Sequence, residues 1–131
     1  MIAGVYDITM EQGSTFFRQL TLEQPDLVAD PTGNTFVNYN LAGHTARMHI
    51  RRTVDSVTPM ISLTTENGRI SINPFVGDAP ARNNEIFLTI SAADTAGLTM
   101  SGVYDLEIVS SGNVVSKVVR GDVNLIPEVT R

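Results

Sequence analysis

The sequence predicts an all-β fold, an antiparallel β-sandwich of about eight or nine short strands, immunoglobulin-like or related. Three observations predict it. Apolar and polar residues alternate with a period of two in several short segments, turn-forming residues separate these segments, and residues 92–98 form the single helical candidate, one short turn. The absence of crossover helices favours antiparallel pairing. With 131 residues, the chain can bury a core of its own, so we expect one domain over residues 1–131.

The segment 101–125 has the clearest strand pattern. Residues 103–109 alternate between apolar and mainly acidic side chains, as a half-buried strand does. The turn-forming sequence SSGN and a valine-rich run follow, which predicts a β-hairpin. Gly121 and Asp122 indicate another turn, so we expect a third antiparallel strand after them.

Two further hairpins are predicted around short glycine turns. Residues 5–10 and 15–22 flank the first turn. Residues 60–65 and 69–73 flank the pair Asn67-Gly68, which favours a type I′ turn. Each hairpin is expected to place its two strands side by side in one sheet.

Residues 44–52 predict a strand with one basic face. Arg47, His49 and Arg51 alternate with apolar residues and bring much of the positive charge of the chain to the outward side. This face is either solvated and paired with acidic side chains, or it docks on an acidic partner. His44 and His49 lie on opposite sides of the strand, so we expect no shared metal ion.

Phe17 and Phe87 are the aromatic residues predicted to point outward from their strands, residues 15–22 and 85–91. Each ring is either covered by a loop, a chain end or a cross-strand neighbour, or it contacts another subunit. Both residues are therefore candidate interface residues.

Two long loops are predicted, residues 23–41 and 74–84, because both segments contain prolines and no sustained period. Long loops in a compact domain often carry function, so we look for partner contacts in them. Residues 30–34 have turn chemistry without the ligand pattern of a calcium loop. The candidate contact residues in the two loops are Pro31, Phe36, Tyr39 and Phe75.

Composition excludes several classes of function. The net charge of −5 argues against nucleic-acid binding, and the lack of cysteine excludes disulfides and thiol catalysis. No apolar run approaches the roughly 20 residues of a membrane span, and the N-terminus lacks the pattern of a cleaved signal peptide. Common catalytic and phosphate-binding motifs are also absent. We expect no enzyme activity, no cofactor, no metal and no membrane partner.

Several blocks resemble a group of small virion proteins of tailed bacteriophages. The blocks are residues 11–16, 41–51, 63–70, 91–96, 104–108 and 127–131. The nearest described relatives look like the N-terminal β-sandwich of baseplate upper proteins, which attach receptor-binding fibres to the tail. Residues 24–39 depart from this pattern, because the segment is longer and richer in Asn and Pro.

The resemblance implies a non-enzymatic structural protein of the virion, assembled in the host cytoplasm. We expect an adaptor in the tail, baseplate or neck that joins tail components or attaches fibres, and a symmetric homo-oligomer that contacts other phage structural proteins. A capsid decoration protein is the alternative. A carbohydrate-binding module is a third interpretation, with few aromatic residues to stack on a sugar.

Overall fold

Eleven β-strands and one short helix make up the described part of the chain, residues 4–74 and 82–130 of a computed structural model. The strands are β1 (Gly4–Val5), β2 (Ile8–Glu11), β3 (Phe16–Thr21), β4 (Glu23–Pro25), β5 (Phe36–Asn38), β6 (Thr45–Arg51), β7 (Ile61–Thr64), β8 (Ile70–Ile72), β9 (Glu85–Ile90), β10 (Gly102–Val109) and β11 (Val115–Ile126). The helix α1 is Ala92–Ala96. The predicted strand number was too low, because strands of two or three residues show no period.

Two sheets enclose the hydrophobic core, which confirms the predicted all-β sandwich. The large sheet has the order β1-β11-β10-β6-β7, with β2 also paired to β11, and the small sheet has the order β3-β9-β8. Both sheets contribute the buried side chains of one cluster. Its fully buried members include Ile8, Met10, Met48, Ile50, Leu63, Ile70, Ile86, Leu88, Ile90, Leu106 and Ile108.

The predicted strands with clean alternation are confirmed. In β6, β9 and β10 every second side chain is buried in the core. The hairpin of β10 and β11 is also confirmed. The helical turn lies where it was predicted, and the Ser91 hydroxyl caps it by accepting the Asp94 N–H at 3.2 Å.

The other two predicted hairpins are wrong. Strands β2 and β3 lie in different sheets, and so do β7 and β8. The intervening turns contain Gly13 and Gly68 at positive φ, yet each turn carries the chain across the core to the opposite sheet. Alternation shows which residues are buried, but a strand on either side of the core buries them equally well.

The predicted third strand is the continuation of β11. Gly121 lies in the middle of this strand, where a Cβ atom would be 2.3 Å from the carbonyl oxygen of Tyr6. Glycine is needed for the close approach of the N-terminal segment, so it does not mark a turn. Strands β1 and β2 run parallel to β11, which corrects the expectation of purely antiparallel pairing. Nearly the whole chain connects them, so no crossover helix is required.

Candidate functional site

Residues 23–38, which we call the arm, form a mostly exposed segment outside the two sheets of the sandwich. The prediction of a long loop over residues 23–41 is wrong, because β4 and β5 pair as a short antiparallel ladder within it. The Leu22 carbonyl fixes the base of the arm by accepting the Tyr39 N–H at 3.0 Å and the Asn84 Nδ2–H at 2.8 Å. Most arm residues are exposed. The pairing is too short to produce a readable period.

Hydrogen bonds to Asp30 order the tip of the arm. Its carboxylate accepts the Thr32 N–H at 3.0 Å, the Thr32 hydroxyl at 2.6 Å and the Thr35 hydroxyl at 3.1 Å. These bonds, the Thr32 hydroxyl foremost, lower the pKa of Asp30. The Asp26 N–H donates to the Thr35 carbonyl at 2.8 Å and closes the end of the ladder. The tip therefore has a defined shape.

The arm exposes an apolar surface with acidic charges. Phe36, one of the predicted contact residues, is 57% exposed, and Val28 is 98% exposed. Leu27 and Val37 add to the surface, which the sequence interpretation missed because it gave no weight to apolar pairs inside a loop. Residues 23–38 contain three acidic residues and neither Lys nor Arg. This combination suits a partner with an apolar, basic surface.

The other predicted residues of this region have different positions. Pro31 is exposed in the ordered tip of the arm. Tyr39 packs against the core at the base of the arm, with its ring 6.0 Å from that of His44. Phe75 lies outside the described residues.

Phe17 and Phe87 meet on the outer face of the small sheet, which we call the aromatic face. Their ring centroids are 5.5 Å apart with the rings edge to face. Phe17 is still 55% exposed after this contact. Beside the rings, Gln19 Nε2 donates to the Glu85 carboxylate at 2.7 Å, and Arg82 forms an ion pair with the same carboxylate at 2.9 Å. The aromatic face therefore combines an exposed ring with a satisfied polar border.

The outer face of the large sheet, the charged face, carries a cross-strand ion-pair network. Glu107 pairs with both Arg47 and Lys117, and Lys117 also lies 3.2 Å from Asp105. Burial opposes the charge of Glu107, but the hydrogen bonds from Lys117 and Arg47 outweigh it and lower the pKa of the carboxyl. The bond to Glu107 in turn raises the pKa of Lys117.

A β-bulge at Val118 brings the charged residues of this network together. The register shifts so that Leu106 pairs with Val119 while Glu107 pairs with Lys117. The extra residue lets Lys117 and Arg120, three positions apart, point to the same side of the sheet. Reading the strand with a strict period of two does not reveal this arrangement.

Arg51 is hydrogen-bonded to a loop of its own chain. One of its Nη groups donates to the carbonyl oxygens of Ser56 and Val57 at 2.9 and 3.1 Å, and the other lies 3.1 Å from His49 Nδ1. Since Arg47 is ion-paired and Arg51 is bonded within the chain, the geometry favours the solvated, salt-bridged interpretation of this face.

The charged face also forms a shallow cleft of about 750 Å³, lined by Arg47, Arg51, Asp105 and their neighbours. On the inner side of β10, beneath the cleft, the Tyr104 hydroxyl donates to the Tyr6 carbonyl at 2.5 Å, and burial raises the pKa of Tyr104 to about 12. Within residues 4–74 and 82–130, no cluster of three or more His, Asp or Glu side chains could hold a metal ion.

Comparison with known proteins gives no match, either to a protein-family model or to a curated protein sequence. In the part of the chain that the structure describes, no helix is long and apolar enough to cross a membrane.

Proposed function

We propose that the chain is a non-catalytic structural protein of a bacteriophage virion, an adaptor in the tail, baseplate or neck that docks on a neighbouring protein through its arm. Support for a virion role comes from the sequence blocks described above. Support for docking comes from the arm, which is the observation that carries the proposal.

An ordered arm suits this role because binding does not have to order it first. The hydrogen bonds at Asp30 already fix the tip, so little of the free energy gained by burying Val28 and Phe36 is lost to ordering the arm. The apolar side chains exposed on the arm would be buried in the complex. The carboxylates around them then favour a partner with Lys or Arg at its rim.

The test compares two valines in assembled particles. Val28, on the arm, and Val57, in a loop of the large sheet, are 98% and 95% exposed. In phage that encode Val28→Asp we expect a folded chain whose amount in purified tails falls by about tenfold, the loss that corresponds to 1.4 kcal/mol of binding. Val57→Asp is the matched control and should enter particles as the wild type does. Mass spectrometry of separated heads and tails measures both.

The outcome of this fractionation distinguishes a tail adaptor from a capsid decoration protein and from a protein outside the virion. Equal incorporation of the two variants would show that the arm is not the docking element. Wild-type protein recovered with heads that lack tails would identify a capsid decoration protein. Its absence from all particles would remove the virion role.

The cleft on the charged face is the observation that favours a carbohydrate-binding module. Of the aromatic residues, Tyr104 lines it, but this ring is only 5% exposed and cannot stack on a sugar. Binding to a glycan array that is lost on Asp105→Asn would favour this second function over the adaptor.

A further inference from the structure

The β3 edge of the small sheet is open among the described residues. Strand β3 is the first strand of the order β3-β9-β8, so it has a neighbour on one side. The Leu22 N–H donates toward β9, to the Asn84 carbonyl, so the even-numbered residues before it face β9 as well. The backbone N–H and C=O groups of Phe17, Gln19 and Thr21 therefore point away from the sheet.

The other described edges are poorly suited to pairing. The edge formed by β1 and β2 is interrupted at Tyr6 and Asp7, and the other edge strands are short: β7 has four residues, and β4, β5 and β8 have three each. Strand β3 has six residues without a bulge, and its outward side chains, Phe17, Gln19 and Thr21, are uncharged. Proteins usually protect such an edge with charges, proline or bulges unless another strand covers it.

We propose that β3 pairs in antiparallel orientation with β3 of a second copy of this chain, joining two small sheets into one of six strands. The edge is self-complementary, because its outer side brings no like charges together. The pairing also joins the two aromatic faces, so the exposed Phe17 rings become part of one larger apolar surface. This inference does not depend on the virion role.

The position of Arg18 determines the register. Odd-numbered residues must meet odd-numbered residues of the second copy, because their backbone groups point outward. The two registers of this kind that pair the most residues of β3 place either Gln19 opposite Gln19 or Arg18 opposite Arg18. The Arg18 guanidinium lies on the inner side of β3, 5.4 Å from the Phe16 ring, and its buried Nε has no hydrogen-bond partner among the described residues. Two such cations directly opposed would repel each other. We therefore assign the register in which Gln19 meets Gln19.

Cysteine cross-linking tests this register, since the chain has no cysteine of its own. In a hydrogen-bonded pair the two Cα atoms are about 5.5 Å apart, within the range of a disulfide. Gln19→Cys should form a covalent dimer under mild oxidation, whereas Thr21→Cys, which would face Phe17 of the second copy, should remain monomeric. Equal cross-linking of both variants, or of neither, would overturn the assignment.

Sedimentation equilibrium tests the pairing itself. Gln19→Pro removes an N–H that points away from β9, and Gln19→Thr is the matched control that loses the same side chain but keeps the N–H. At concentrations up to about 0.5 mM, we expect dimers of the wild type and of the Thr variant, and at least about tenfold weaker association of the Pro variant. Circular dichroism checks that both variants fold. A monomeric wild type would overturn the pairing while leaving the arm test of the adaptor role unaffected.

Discussion

The outer faces of the two sheets differ in how far their groups satisfy one another. On the charged face, Glu107 joins Arg47 and Lys117 across three strands. On the aromatic face, Phe17 keeps more than half of its surface exposed, and no described strand pairs with β3 on its second side. One sheet satisfies its outer groups through its own ion pairs, while the other has apolar surface and backbone groups that no described residue covers.

Association through the charged face would depend on electrostatic interactions, whereas association through the aromatic face would depend on the burial of apolar surface. The ion pairs of the charged face are already formed, so a partner that docks there must displace or desolvate them. Burial of the Phe17 ring, by contrast, requires no such loss. Contact surfaces are therefore expected at the aromatic face and the arm.

The largest expected effect separates the two sides of β10. Leu106 is fully buried, so Leu106→Asp places an unpaired charge in the core and should cost more than about 4 kcal/mol of unfolding free energy. Its neighbour on the charged face provides the control, and Glu107→Ser should cost about 1 kcal/mol or less. Denaturant unfolding measures both. Equal losses would contradict the assignment of Leu106 to the buried side of β10 and of Glu107 to its outer side.

The next effect concerns the packing of the N-terminal segment on β11. In Gly121→Ala the new Cβ would overlap the Tyr6 carbonyl, so we expect a loss of about 1 to 3 kcal/mol. Gly4→Ala is the matched control, since the nearest atom to its new Cβ is 4.0 Å away. Hydrogen exchange at β1 should increase in the first variant alone. Unchanged stability of Gly121→Ala would contradict the parallel pairing.

A smaller effect tests the ion pairs of the charged face through pH. The folded chain lowers the pKa of Glu107 below its ordinary value of 4.5, so this carboxylate stabilises the fold above that pH and loses its contribution as the pH falls through the folded pKa. The stability difference between the wild type and Glu107→Gln should thus be at most about 1 kcal/mol at neutral pH and shrink in acid. Glu66→Gln, at an exposed turn, is the control. A difference that grows in acid would contradict the network.

The smallest effect on stability is expected at the aromatic face. Phe17→Ser removes a ring that is mostly exposed in the monomer, so the unfolding free energy should change by less than about 1 kcal/mol while association weakens. Thr89→Ser, on the neighbouring strand, is the control for both measurements. A large loss of monomer stability would mean that Phe17 belongs to the core.

The sequence predicted the buried residues of β6, β9 and β10 because each strand has enough residues for a period of two to stand out. It did not predict the sheet in which β2, β3, β7 and β8 lie, since a strand on either side of the core has the same pattern. The role of Gly121 was misjudged because close backbone approach and a turn both require glycine.

The candidate site was predicted in part. Phe17 and Phe87 were expected on the outer side of their strands, and they lie there, because an extra aromatic residue is visible in the alternation. Phe36 was only a candidate contact residue of a predicted loop, and it is 57% exposed. The ion pair of Glu107 with Arg47 and the bulge at Val118 depend on the register between distant strands, which no local pattern specifies. The order of the arm likewise depends on side-chain hydrogen bonds to Asp30.

Hydroxyl-radical footprinting of the isolated chain at low concentration and of intact particles is the most direct test of the contrast between the two faces. We expect residues 16–21 and 23–38 to become protected in particles, while the side chains of residues 45–51 keep their reactivity. Protection confined to residues 45–51 and their neighbours on the charged face would contradict it.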